Sequence, residues 1–244
     1  MDVYQEMAEH YDLIYGDQMD AEFYLREAKN ARGPVLEVAC GTGRILLKLL
    51  QGGIDITGLD LSENMLAVLK SKAKQLGLEP DVHLADMVDF KIEKKFNLII
   101  VPYRSFLHLA TETERKQALQ TFMDHLNKGG RLILHTYNPS KEDLEMTGDY
   151  HHFDRVEFAE GGKKYTTDWY LHYEPNKRAG NYKVSLTMED GRKLEYPMTI
   201  YFLRIKEMKE LLQRAGYRNI RYYCGFDYSP FDEDCGEVVW IVER

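Results

Sequence analysis

The sequence predicts an α/β fold: a mostly parallel sheet with helices on both faces, plus an antiparallel β insert after its fifth strand. Three observations point to it. From about residue 33 to residue 140, short apolar runs alternate with stretches of helical periodicity, which means parallel strands joined by crossover helices. The run Phe96-Asn97-Leu98-Ile99-Ile100-Val101 is apolar almost throughout, as a strand buried on both faces should be. From about residue 150 to 203 the alternation gives way to aromatic-rich strand text punctuated by Asn176, Gly180 and Asp190-Gly191, the pattern of a meander.

Taken in order, residues 1–32 read as a helical, aromatic cap with Tyr4, Tyr11, Tyr15, Phe23 and Tyr24 set among acids. A buried strand, Val35 to Ala39, ends at the turn Cys40-Gly41-Thr42-Gly43, and Arg44 to Leu50 continues at helical spacing until Gly52-Gly53 stops it. Ile54 to Asp60 is a second strand, and Ser62 caps a helix running to about Leu76. Asp81 to Asp86 is a short third strand and Phe96 to Val101 the fourth. Thr111 to Asn127 is a helix stopped by Gly129-Gly130, and Arg131 to His135 is the fifth strand. Strands are expected at Tyr165–Tyr173, Tyr182–Met188 and Leu194–Leu203, a helix at Lys206–Ala215, then strands near Tyr217–Cys224 and Val238–Val242. The organisation expected is 1–32 as cap, 33–140 as core, 141–203 as insert and 204–244 as the helix and strands completing the core.

A net charge of −8, with no basic run longer than Lys94-Lys95 or Lys163-Lys164, argues against nucleic acid, whose binding draws on clustered cations. No stretch approaches the roughly 20 apolar residues that span a bilayer. Cys40, Cys224 and Cys235 match neither a disulfide framework nor a zinc spacing, so free thiols in a reducing, cytoplasmic setting are expected.

The chemistry is concentrated at strand ends. Glycines at 41 and 43, between a strand and a helix, let the backbone approach a ligand, and the helix N-terminus offers N–H groups to a negative group. A dinucleotide fingerprint would need a third glycine where Leu46 stands, which disfavours a dehydrogenase. Asp60 ends the second strand about 17 residues after Gly43, where a carboxylate can hold ribose hydroxyls; the alternative is a capping acid. Asp86 ends the third strand and can accept from an adenine amino group; the alternative is an exposed loop acid.

These segments resemble the class I S-adenosylmethionine (SAM) dependent methyltransferases. The resemblance rests on Val35-Leu36-Glu37-Val38-Ala39-Cys40-Gly41-Thr42-Gly43-Arg44, Gly58-Leu59-Asp60-Leu61-Ser62-Glu63-Asn64-Met65-Leu66, His83-Leu84-Ala85-Asp86-Met87 and Leu126-Asn127-Lys128-Gly129-Gly130-Arg131-Leu132-Ile133. It implies a Rossmann-like seven-stranded sheet. It also implies a SAM site in which Ala39, Gly41 and Gly43 line the methionine end behind the acid Glu37. Asp60 would hold the ribose, Leu61 and Met65 would flank the adenine, and Asp86 with Met87 would read its edge. Ala8 to Tyr15 is similar to the N-terminal segment of small-molecule members, in which a tyrosine like Tyr15 lies near the cofactor. The insert is similar to the lid of sugar-amine and glycine N-methyltransferases.

The implied reaction is methyl transfer to an N or O atom of a small metabolite, leaving S-adenosylhomocysteine (SAH), with a homodimer as an open assembly. Two rivals remain: another SAM-using or nucleotide-binding enzyme on this fold, and a catalytically silent methyltransferase-like subunit. Val101-Pro102-Tyr103-Arg104-Ser105-Phe106-Leu107-His108 lacks the Asn/Asp-Pro-Pro-Tyr of base and glutamine methylation, and holds no cysteine for a thiolate adduct. His108, His135, Tyr103 and Tyr137 are the candidate bases, with Arg104 for an anionic substrate. For His108 and His135 plain packing is the alternative. His151, His152 and Asp154 lack a third partner at metal-ligand spacing, so no metal is expected. Tyr165, Trp169, Tyr173 and Tyr182 on the insert are packing residues or, in the sharper reading, faces for a cationic amine.

Overall fold

The computed structural model describes Tyr4, residues 7–16 and residues 20–244. In chain order, a 3₁₀ turn at Ala8–His10 leads into α1 (Tyr11–Tyr15), then come α2 (Ala21–Ala31), β1 (Val35–Val38), α3 (Leu46–Gln51), β2 (Ile56–Asp60) and α4 (Glu63–Gln75). They are followed by β3 (Asp81–Leu84), β4 (Phe96–Val101), a 3₁₀ turn at Ser105–His108, α5 (Glu112–His125), β5 (Leu126–Tyr137) and α6 (Lys141–Glu145). The insert holds β6 (His151–Glu160), β7 (Lys163–Glu174), β8 (Ala179–Met188) and β9 (Lys193–Tyr201). The chain closes with α7 (Ile205–Arg214), β10 (Arg218–Cys224), the two-residue β11 (Ser229–Pro230) and β12 (Glu237–Glu243).

The main sheet runs β11-β10-β12-β5-β4-β1-β2-β3. Its β3-β2-β1-β4-β5 half is parallel, β12 runs antiparallel to β5, and β10, antiparallel to β12, shares the direction of the parallel half. Alternation along each strand sorts the core into two layers. Leu36, Ile99, Leu132 and Leu134 face α5 and α7 through Leu119, Phe122, Met208 and Leu212. Val35, Leu98, Ile100 and Ile133 face α2, α3 and α4 through Tyr24, Leu46 and Leu69. Strand order reverses at β1/β4, and the crevice beyond the strand ends at such a switch point is where open α/β sheets take ligands. The second sheet, β6-β7-β8-β9, is an antiparallel meander. Met7, Ile14 and Tyr15 pack on it through Val184, Leu186 and Tyr196, so the N-terminal segment bridges insert and core.

The expected strands and helices of the core are present, with ends displaced by a few residues. Strand β6 was not among the expected runs, because it is an edge strand whose residues are almost all exposed and lack an apolar alternation. The thiols depart from expectation. Cys224 and Cys235 form a disulfide, because β10 and the approach to β12 bring their Cα atoms to 5.6 Å across 11 residues of sequence. Cys40 is free and buried, and burial pushes its thiol up. Among the described residues no helix is long and apolar enough to cross a membrane.

Gly58 in β2 lets α3 approach the sheet. A Cβ there would lie 2.4 Å from Leu46 Cδ1 and 2.9 Å from Cys40 Sγ, with both neighbours buried. Gly58→Ala is therefore expected to cost about 1–3 kcal/mol, as overpacking does. Urea unfolding followed by circular dichroism measures this, and an unshifted midpoint would show that the contact is slack.

Candidate active site

A cavity of about 790 Å³ opens between the carboxyl ends of the parallel strands and the inner face of the second sheet. Its floor is the turn after β1. Ala39, Gly41 and Gly43 all have positive φ there, of 57°, 54° and 84°. Glycine takes this conformation at no steric cost, while for Ala39 it is strained. A Cβ on Gly41 would meet no protein atom within 4 Å, so the side it leaves bare is the open cavity. Gly43 is glycine for another reason, since a Cβ there would strike Leu69 Cγ at 2.7 Å.

Asp60 closes β2 beside this turn, 8% exposed. Its Oδ2 accepts from Gly41 N–H and its Oδ1 from Ser62 N–H, each at 2.8 Å. Ser62 then caps α4 by accepting from Met65 N–H at 3.2 Å. Leu61, Met65, Asp86 and Met87 continue the same wall. The other wall begins with the loop after β4, where Tyr103 and Arg104 both sit in the left-handed region, at φ of 51° and 65°, and line the cavity. Consecutive non-glycine residues in this conformation store strain of a kind that clusters at functional sites.

Tyr15 packs against Tyr11, Tyr103 and Trp169, with centroid separations of 4.5, 5.3 and 5.5 Å. Burial, then the nearby Tyr4, pushes the Tyr11 and Tyr15 phenols well above their ordinary range. Burial likewise raises Tyr103, and it raises Tyr137 together with the bond its hydroxyl donates to Asp143 at 2.6 Å. Such phenols stay protonated, so Tyr103 and Tyr137 can donate and orient but are poor bases. His108 differs. Its Nδ1 faces the Thr199 carbonyl at 3.0 Å, and a carbonyl can only accept, so Nδ1 carries the proton. Nε2 is then the acceptor, taking a bond from the Tyr4 hydroxyl at 2.8 Å.

Three expected residues lie outside the cavity lining: Gly43, at the end of the turn, Glu37 and His135. Glu37 is 2% exposed beneath the turn, and burial raises its carboxyl well above the ordinary range. His135 is 3% exposed and packs edge-on against Phe226; its Nε2 donates to Glu237 Oε2 at 2.6 Å. Glu237 also holds Arg104, whose guanidinium covers the Tyr137 ring at 4.2 Å. Sequence reasoning gave no hint of Glu237, because it lies 133 residues from Arg104. It also passed over Asp143 and Thr199, which only the tertiary fold brings to the cavity. His151 and His152 diverge, toward the Thr147 carbonyl and toward Asp168. Among the described residues no three His, Cys, Asp or Glu side chains converge as metal ligands.

Residues 35–130 match the family model described as a methyltransferase domain. Over those residues the chain is similar to methyltransferase domains. Over 141 residues it is 33% identical to the dTDP-3-amino-3,6-dideoxy-alpha-D-glucopyranose N,N-dimethyltransferase of Streptomyces fradiae, covering 53% of this chain and 52% of the relative. The chain thus spans about half the length of the curated relatives it matches. The fold of the whole chain is that of solved methyltransferases. The CcbJ methyltransferase of Streptomyces caelestis superposes with TM-score 0.84 at 19% identity, over 98% of this chain and 97% of that one. A SAM-dependent methyltransferase from Clostridium acetobutylicum gives 0.81 at 19% identity, over 99% of both chains.

Glu237 ties the loop after β4 to the last strand, and its titration reports on that tie. Burial alone would raise its pKa, but the His135 hydrogen bond and the Arg104 charge outweigh it and hold it at about 2. The folded value lies below the unfolded one of about 4.3, so this stabilisation is complete above that pH and lost as pH falls toward 2. Comparing unfolding of the wild type and Glu237→Gln from pH 7 to pH 2, the wild-type advantage should shrink between about pH 4 and pH 2. A difference constant with pH would show that the pairing contributes nothing.

Proposed function

We propose that this protein transfers a methyl group from SAM to a nitrogen atom of a small molecule, releasing SAH. The observation that carries the reading is one continuous cavity running from the Ala39–Gly43 turn and Asp60 to an aromatic chamber under the second sheet. Bound SAM supplies an activated methyl group, so the protein's work is alignment and exclusion of water.

The residues present fit that cofactor. Gly41 leaves room where a side chain would intrude, and Asp60 stands at the strand end with its carboxylate already fixed by two amides. An ionised carboxylate offers about four acceptor positions, so backbone amides and a ribose diol can share it. Leu61 and Met65 would flank the adenine, with Asp86 and Met87 at its edge. Tyr15 would close the methyl end, and Gly43 would shape the turn from behind. Glu37 would support the turn from below rather than touch the ligand. Residues 33–140 and 204–244 would bind the cofactor, 141–203 enclose the acceptor and 1–32 cap both; of the cap, 1–3, 5–6 and 17–19 lie outside the described residues. His108 is our choice of base, because its Nε2 is the acceptor nitrogen and it lies on the cavity wall. Nitrogen is preferred over oxygen because the S. fradiae relative is named for N,N-dimethylation. The open cavity speaks against the silent subunit, whose acceptor pocket would be filled by insert side chains.

Calorimetric titration with SAM and SAH tests the cofactor: micromolar binding is expected, and its absence in folded protein would end this reading. Asp60→Asn should weaken SAH about tenfold or more, the loss of a charge-assisted bond of about 1.5–3 kcal/mol, and should also lower the melting temperature, because Asn offers one acceptor oxygen to two amides. Equal affinity would remove Asp60 from the site. His108→Gln should leave SAH affinity intact while slowing transfer from labelled SAM to an amine by about a hundredfold, the lower range for a general base. An undiminished rate would mean that water takes the proton.

A further inference from the structure

We infer that the acceptor chamber is a cation site with no anion clamp, suited to a protonated amine, which gives its proton to His108 Nε2 before its nitrogen takes the methyl group, and to the methylated ammonium product, on a scaffold that carries no phosphate. This rests on the methyl-transfer reading and adds the charge class of the substrate.

The chamber's charges are the first argument. Among the described residues its lining holds one permanent cation, Arg104. That guanidinium is paired with both oxygens of Glu237 and stacked on Tyr137. Nearby cations are engaged likewise. Arg44, 5.6 Å from the Tyr103 ring, is bound through two nitrogens to Asp20, and Lys72 is bound to Asp12 at 2.7 Å. Lys183 lies over the Tyr150 ring at 5.2 Å but is not part of the lining, and Glu195 stands 3.7 Å from it. Residues 1–3, 5–6 and 17–19 contain no Lys, Arg or His, so no side chain of theirs could add a positive charge.

Against this stand two carboxylates, Asp143 and Asp154. Asp143 is held in place by bonds from the Tyr137 hydroxyl and Ser140 N–H, at 2.6 and 2.8 Å. Beside them the mouth presents Tyr150 and Phe153, 42% and 41% exposed, with Phe153 edge-on to Tyr182 at 6.2 Å. Aromatic faces and carboxylates attract an ammonium group. A diphosphate entering the same chamber would shed water without gaining a counter-charge, and would face Asp143 and Asp154. The S. fradiae relative is named for a dTDP-linked sugar, so this chamber marks a divergence in substrate class.

The test uses protein saturated with SAH, its binding established first by calorimetry, so failure of the cofactor reading is seen separately. Tetramethylammonium and TDP are then titrated at low salt, read by calorimetry and by quenching of Trp169, the tryptophan that lines the cavity. The expected result is tetramethylammonium binding, weakened about tenfold in the Asp143→Asn/Asp154→Asn double variant, and no heat from TDP. The SAH affinity of the double variant serves as its folding control, and Asp154→Asn alone, at an exposed position, gives the same direction should the double variant misfold. Binding of TDP in competition with tetramethylammonium would overturn the inference. So would ammonium binding indifferent to the substitutions, or no ammonium binding at all.

Discussion

The cavity depends on one carboxylate and the two amides it holds. Asp60 ends β2, accepts from Gly41 in the turn after β1, and accepts from Ser62 at the start of α4. Three separate pieces of chain are thereby fixed about a single charge. Without it the turn, with three successive odd-numbered residues at positive φ, would have no partner on that side. The bonds are charge-assisted and largely shielded from water, where such bonds are strongest. What would hold a ribose is therefore also what shapes the floor beneath it.

The roof is attached by charge as well. Asp12 in α1 accepts from the Thr42 hydroxyl at 2.6 Å and pairs with Lys72 of α4, while Asp20 chelates Arg44 just after the turn. The Asp12–Lys72 pair is exposed and worth little in stability. Asp20 is 2% exposed, so its pairing with Arg44 must be kept once formed: a buried acid stripped of its partner is costly. The N-terminal segment is anchored by apolar contacts as well, with Met7, Ile14 and Tyr15 buried against the second sheet.

The core of this fold was legible because burial writes itself locally. Phe96 to Val101 could be little else than a central strand, and Ser62 announced its helix through capping. The cofactor wall was legible for the same reason, since Gly41, Asp60 and Asp86 each sit where a strand ends. The acceptor wall was legible only in part, through Tyr103, Arg104, His108, Tyr137 and the insert's aromatics. Asp143, Tyr182 and Thr199 meet only after the insert folds back on the core, and Glu237 arrives from the far end of the chain. His135 looked like a pocket residue because it closes a strand at the carboxyl edge, yet alternation turned it into the layer with Phe226. The disulfide escaped notice because two cysteines 11 residues apart carry no signal until a hairpin brings them together.

Glu237 gives the last strand a part in the site beyond completing the sheet. Tyr103 and Arg104 hold backbone conformations that cost on the order of 1–3 kcal/mol each, and such strain persists only where the surroundings over-determine it. The surroundings here are Glu237 on the guanidinium, Tyr137 beneath it, and His135 fixing the carboxylate from the other side. Glu237 is itself anchored: it follows a disulfide-linked cysteine by two residues and opens a strand whose Trp240 is fully buried. The chain's final rigid element thus sets the loop after β4, and that loop sets Tyr103 against Tyr15 at the centre of the cavity. An Arg104 so held is a structural cation. It leaves recognition of the acceptor to aromatic faces and carboxylates, which is why the chamber reads as one for amines.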